Sequence, residues 1–234
     1  MGKTSALNRL SAEVVGCRRC PRLVDWREAA AAAPPRRFHG ERYWARPLPG
    51  FGDPDAGVVL VGLAPAAHGG NRTGRMFTGD RAGDFLYAAL YRAGYANQPT
   101  STDRDDGLRL EDAYITAAVR CAPPANKPLP AERDNCLTYL VRELPLLERA
   151  HVIICLGSFG WDAALRAVRE LGHELPRPRP KFGHQAEVEI GPYVLLGCFH
   201  PSQQNTFTGK LTPGMIDAVL ARSRELTGQG RPPP

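Results

Sequence analysis

Residues 58–80 read V-V-L-V-G-L-A-P-A-A-H-G-G-N-R-T-G-R-M-F-T-G-D. The opening run is β-branched and wholly apolar, the pattern of a strand buried on both faces. It passes straight into a loop with five glycines, Gly62, Gly69, Gly70, Gly74 and Gly79, and ends on an acid, Asp80. A glycine-rich loop lets backbone come close to a ligand. Parallel-sheet proteins place their sites at the carboxyl ends of such strands. A strand of this kind needs cover on both sides, which commits the chain to an α/β arrangement.

The remaining pattern agrees. Leu7, Leu10 and Val14 repeat at helical spacing over 5–16. After an alanine run, residues 27–57 become irregular and rich in Pro, Gly and aromatics. That segment reads as a surface loop packing Trp44 and Phe51 on the core, and its length also marks it for function. A helix is expected over 81–93, with Phe85, Leu86, Ala89 and Leu90 inward and Gly94 as its stop. Residues 98–110 are polar and Asp-rich, and the run 103–106 reads as a solvated loop. Strands are expected at 114–119 and 152–156. Helices are expected at 131–149, kinked or ended by Pro145, and from 158 to near Gly172. Residues 186–190 and 193–199 read as a hairpin whose second arm is a core strand. Met215, Ile216, Val219 and Leu220 mark a last helix. Strands separated by helices predict a mostly parallel sheet in one domain over 1–226, with a disordered tail at 227–234.

At 234 residues, with 43% apolar, the chain can bury one large core. No apolar run approaches about 18 residues and no signal peptide is evident, so a cytoplasmic protein without a membrane partner is expected. The net charge of +6 suits phosphates, including nucleic acid, or serves solubility alone.

Of six cysteines, Cys155 and Cys198 lie inside strand-like runs, where a thiol acts as a small hydrophobe. Cys17 and Cys20 form a C-x2-C pair before a proline, and Cys121 and Cys136 follow with 14 residues between them. Four thiols in a reducing compartment suggest a metal site rather than disulfides. One short pair plus two distant ligands suits a four-iron cluster. Zinc, and plain core cysteines, remain open alternatives. With four cysteine ligands and no open position, the role is structural.

The last strand runs into F-H-P-S-Q-Q-N, placing His200 at the same sheet edge as the glycine loop. Asn126 follows the second strand in C-A-P-P-A-N-K-P. Acid, amide and histidine at three strand ends form a reasonable set for hydrolysis without a catalytic metal. The patterns of a P-loop, a dinucleotide fingerprint, a nucleophile elbow and a zincin helix are all absent.

These residues together resemble a family. G-L-A-P-A-x-x-G-G-N-R-T-G-R-x-F-T-G-D with H-P-S-x-x-N is similar to the uracil-DNA glycosylase superfamily, and the four cysteines resemble its iron–sulfur branches. Y-W-A-R-P-L-P-G-F-G-D and Ala66 point to family 5, the type-b enzymes, over roughly 15–225. The resemblance implies a three-layer α/β/α sandwich around a four-stranded parallel sheet. It implies a structural [4Fe-4S] cluster on Cys17, Cys20, Cys121 and Cys136. It also implies a monofunctional DNA repair enzyme that flips and releases uracil and other deaminated bases, hypoxanthine and xanthine among them. Most superfamily members carry a polar or acidic residue where Ala66-Ala67 stands, and family 4 carries an asparagine where Ala117 stands. Fewer fixed donors reject fewer bases.

On that basis His200 stabilises the departing base, Asp80 places water and tolerates a cationic sugar, and Asn126 holds water or sugar. Asp80 also sits where a helix N-cap would. Phe77 stacks on the base, while Gly62, Leu63, Ala64 and Ala66 line its pocket. Arg72, Arg75, Ser202, Gln203, Asn205 and Lys210 are assigned to DNA, with Gln203, Gln204 or Phe207 as wedge. The protein is expected to act as a nucleoid-associated monomer. A non-enzymatic iron–sulfur nucleic-acid sensor and a zinc-stapled phosphate-binding module are the competing readings.

Overall fold

The protein is described here from a computed structural model that covers residues 3–228. Its centre is a sheet of β2 (Val58–Gly62), β3 (Ala113–Ala117), β4 (Val152–Leu156) and β6 (Tyr193–Cys198), all parallel, in the order β3-β2-β4-β6. Two short strands add antiparallel edges: β1 (Phe51–Gly52) beside β3, and β5 (Glu187–Ile190) in a hairpin with β6. The expected parallel four-stranded core is present, extended to six strands among the described residues.

Each central strand is buried on both faces, and alternate residues feed two cores. Val58, Leu60, Ile115, Ile154 and Leu196 join the first, under α4 (Arg81–Arg92) and α8 (Pro213–Leu226). Val59, Val61, Tyr114, Ile153 and Leu195 join the second, under α5 (Pro130–Glu143) and α6 (Ser158–Glu170). This makes the three layers. α1 (Lys3–Val15) packs outside α5 through Leu10, Val14 and Tyr139, with Glu13 paired to Arg142 at 2.7 Å.

Three expectations change. Residues 21–32 form a helix, α2 (Pro21–Ala32); no helix was expected there, and its second half, 27–32, fell in the stretch expected to turn irregular. Its inward face carries a buried arginine, Arg27, which breaks the apolar periodicity a helix normally shows. From 36 onward the segment is largely irregular and does pack Trp44 and Phe51 against the first core. The run 103–106 is not wholly solvated, because Asp106 bonds Arg75 at 2.6 Å in the interior. Thr227 and Gly228 cap α8 rather than joining a disordered tail, the Thr227 hydroxyl donating to the Ser223 carbonyl; residues 229–234 lie outside the described residues. Among the described residues no helix is long and apolar enough to cross a membrane.

Candidate active site

The carboxyl ends of β2, β3 and β6 meet at one cavity of about 380 Å³. Its walls include Leu63, Ala64 and Ala66 from the glycine loop, Ala117 from β3, and Phe77, Asp80, Asn126 and His200. The acid, amide and histidine expected from three separate loops are therefore brought together.

Asp80 is the N-cap of α4, its Oδ1 accepting from the Gly83 amide at 2.9 Å. Its other oxygen lies against Gly69, where a Cβ would clash with Oδ2. Capping and lining the cleft are thus one arrangement: the helix fixes the carboxylate and the glycine makes room for it. Burial pushes the Asp80 carboxyl above its ordinary value, against the hydrogen bonds from Gly83 and Ala82. His200 sits beside Gly157, the bend between β4 and α6, where a Cβ would come within 3.3 Å of the histidine Cβ. Burial drives the imidazole down to about 4, so the ring is neutral at physiological pH.

Phe77 has φ 52°, and its ring lies 5.9 Å from that of His200. A side chain at Gly62 would meet the Phe77 ring at 2.8 Å, so the glycine at the strand end is what admits the aromatic. Ala125 and Asn126 also have positive φ, 53° and 56°. Left-handed backbone at non-glycine residues is strained and gathers at functional sites. Here Phe77 and Asn126 both line this cavity, and Ala125 directly precedes Asn126.

A second, wider chamber of about 630 Å³ adjoins the first. The two share Ala66, Asp80, Arg81, Asn126 and Gln203 as a common wall. Where a polar side chain would project from the loop, Ala66 and Ala67 present methyl groups to this chamber.

Behind β3, Cys17, Cys20, Cys121 and Cys136 border one small pocket. Arg27 is 2% exposed and donates to the Cys121 sulfur at 3.1 Å, while its Nε has no partner. Its other contacts are long, the Cys17 carbonyl at 3.5 Å and Glu28 at 3.9 Å, and a buried guanidinium so loosely paired suits further negative charge beside it. Among the described residues, however, no group of three or more His, Cys, Asp or Glu is placed to hold a metal ion.

Comparison with known proteins agrees with this geometry. The model of the uracil DNA glycosylase superfamily matches residues 49–223. A type-5 uracil-DNA glycosylase of Mycobacterium tuberculosis is 51% identical over 229 residues, covering 97% of this chain and 84% of the relative. The type-5 enzyme of Mycobacterium leprae is 48% identical, covering 97% of this chain and 98% of the relative. That of Thermus thermophilus is 48% identical over 92% of this chain and 95% of its own.

The chain belongs to the uracil-DNA glycosylase superfamily. Its relatives place it in the type-5 family, whose members are hydrolases acting on N-glycosyl bonds.

Not every residue assigned from the sequence faces the cleft of this glycosylase fold. Arg75 is 4% exposed and bonds Ser101 at 2.7 Å and Asp106 at 2.6 Å. It is core structure and has no route to a phosphate. Burial alone would raise the Asp106 carboxyl, but the Arg75 hydrogen bond and the Leu108 and Thr102 amides outweigh it and hold it at about 2. Arg72 is committed as well. It pairs with Glu41 at 2.6 Å, bonds the His68 and Gly79 carbonyls, and lies over Phe38. Asn205 turns inward, its amide donating to the His200 carbonyl at 2.8 Å, so it steadies the histidine loop instead of facing DNA. Ser202 caps α7 (Gln203–Phe207) and, with Gln203, borders the cavity. Lys210 is exposed, its ammonium 5.1 Å from the Phe199 ring centre.

Arg81 was not singled out from the sequence, yet it lines both cavities. Its signal was available: it directly follows the capping acid, and the first turn of a helix beside a cleft faces that cleft. Trp26 and Arg37, on the second chamber, carried no comparable signal, because they come from a segment remote in sequence.

Proposed function

We propose that the protein is a monofunctional DNA glycosylase that hydrolyses the N-glycosidic bond of uracil, hypoxanthine and xanthine in DNA, on a nucleotide flipped out of the helix. The observation that carries this reading is a neutral His200, an aromatic Phe77 and a cleft-facing Asp80 around one cavity. A base inside a duplex is out of reach, so the target enters the cavity extrahelically. Phe77 stacks on it with Gly62 making room behind its ring, and Leu63 and Ala64 wall the pocket.

In the reaction the bond between the sugar C1′ and the base nitrogen breaks, and its electron pair leaves with the base. His200, neutral, donates a hydrogen bond to the negative charge that develops on the base. The sugar becomes cationic and Asp80, on the water side, stabilises it. Water forms the new C1′–O bond, and its proton passes to the Asp80 carboxylate, whose raised affinity suits it as a base. Asn126 holds the same water or the sugar. No lysine lines either cavity among the described residues, which supports base release without strand cleavage.

Breadth of substrate is supported by the methyl groups of Ala66 and Ala117, which leave few donors in the base pocket to reject a different base edge. Gln203 borders both cavities, which supports it as the group that fills the gap left by the flipped base. Arg81 and Lys210 are the basic side chains that best fit phosphate contact.

We assign to Cys17, Cys20, Cys121 and Cys136 a four-iron cluster. Support comes from the all-thiol donor set and from the buried, partly orphaned Arg27 beside it. The cluster's chemistry when bound is structural, tying α2 to the segment that carries Asn126.

Labelled oligonucleotides containing one uracil, hypoxanthine or xanthine test the reading. Alkali-labile abasic sites should appear with each, without strand breaks before alkali. No abasic site from uracil would end the proposal; none from the purines would end its breadth.

A further inference from the structure

Beyond the wall it shares with the base pocket, the second chamber has no part in the mechanism above, and its construction is specific. Trp26 is 38% exposed on its rim, and among the described residues it makes no hydrogen bond, ring stack or cation contact. Its position is nonetheless fixed. The next residue, Arg27, is buried against Cys121, and the Asn71 side chain of the glycine loop donates to the Arg27 carbonyl at 3.1 Å. The loop that walls the base pocket therefore also holds the tryptophan in place.

Two cations flank the chamber. Arg37 is exposed and forms no ion pair among the described residues; its guanidinium lies 4.6 Å from the Phe38 ring centre. Arg81 likewise has no ion-pair partner among the described residues, and its guanidinium lies 5.1 Å from the Phe207 ring centre. Phe38 itself is not available for stacking, because Arg37 and Arg72 both lie over it. The acids Asp80 and Asp84 share the wall, so anion binding is confined to the Arg37 and Arg81 sides. One free aromatic face with free arginines around it is the chemistry that receives a base and its phosphates from a single strand.

We infer that this chamber is a second nucleotide subsite, in which the nucleotide next to the excised one, on the same strand, stacks on Trp26 with its phosphate between Arg37 and Arg81. The inference rests on the glycosylase reading, since the occupant is part of that substrate. Its size fits: about 630 Å³ lies within the range of small-molecule sites. Its continuity with the base pocket through Asp80 and Arg81 suits two consecutive nucleotides. A neighbour that leaves its own stack costs least in a single strand, so the subsite acts chiefly on single-stranded DNA.

The test is a cycle of two changes in single-turnover uracil release from single-stranded oligonucleotides. One change is Trp26→Ala in the protein; the other is an abasic analogue at the nucleotide 5′ or 3′ to the uracil. Trp26→Ala should raise the enzyme concentration that gives half the maximal single-turnover rate about tenfold on the intact strand, in line with the loss of one stacked base. That penalty should vanish when the neighbour on one side has no base. Trp26→Phe, which keeps an aromatic face, should recover most of the loss, and unchanged melting temperatures would show both variants folded. An equal penalty with and without the neighbouring base, on both sides, would overturn the subsite, as would no penalty at all. If the wild-type protein releases no uracil from any strand, the glycosylase reading fails, a result distinct from the failure of the subsite.

Discussion

A methyl group at Gly69 would clash with Oδ2 of Asp80. The glycine loop and the acid eleven residues later are thus one device, in which missing volume on one side holds charge on the other. Gly69→Ala forces the carboxylate to turn or α4 to shift. A displacement of about 1 Å at a catalytic group costs about a hundredfold in rate. The variant should therefore fold, bind DNA and lose about that factor in kcat. Retained kcat would mean that the carboxylate has freedom the cleft does not suggest.

Asp80→Asn separates catalysis from folding. Asparagine caps a helix as well as aspartate does, so the bond to Gly83 survives. Activity should fall by about 10²–10⁴, the usual contribution of a general base. The wild-type pH profile of kcat/KM should show an acid limb above the ordinary carboxylate value, absent in the variant. Stability should move the other way. Burial raises the folded-state pKa, so the native protein binds more proton than the unfolded chain between the ordinary and raised values. Stability therefore falls as pH rises through that window and stays low above it. At neutral pH Asp80→Asn should melt at or above the wild-type temperature. A clear drop would show that the charge stabilises the fold.

Arg75 carries a test of its removal from the DNA surface. Arg75→Ala leaves Asp106 buried without its partner, and breaking such a pair costs about 3–5 kcal/mol. Urea denaturation should show a loss of that order. Lys210→Ala should leave stability alone and reduce the salt dependence of DNA binding by about one phosphate contact. The reverse pattern would restore Arg75 to the interface.

The cysteine site is tested by composition. Protein purified without oxygen should hold about four iron atoms per chain and absorb broadly in the visible. Cys121→Ser or Cys136→Ser should lose both and speed amide hydrogen exchange in α2 and near Asn126, which the site joins. Stoichiometric zinc in place of iron would refute the assignment.

The meeting of Asp80, Asn126 and His200 at one cavity was legible in the sequence because parallel-sheet topology sends every strand's carboxyl end to one edge. Asp80, Asn126 and His200 each follow a strand-like run, so the periodicity alone brings them near one another. The arginines were not legible in the same way. Arg72, Arg75 and Arg81 lie within ten residues, and a linear reading gives them equal claims on phosphate. Packing divides them: Arg75 meets Asp106 in the core, Arg72 meets Glu41, and Arg81 alone stays free at the cleft. α2 was hidden for a related reason, because its inward face is held by Arg27, whose partner is a sulfur 94 residues away.

The sequence by itself determined the layered fold and the family chemistry, since alternation of strand and helix and the spacing of a few polar residues are local properties. Tertiary structure decided which charges are structural and which are free, and it built the second chamber from Trp26, Arg37 and Arg81. Those residues lie on separate elements, and only burial energies summed over the whole core determine which of their faces meets water.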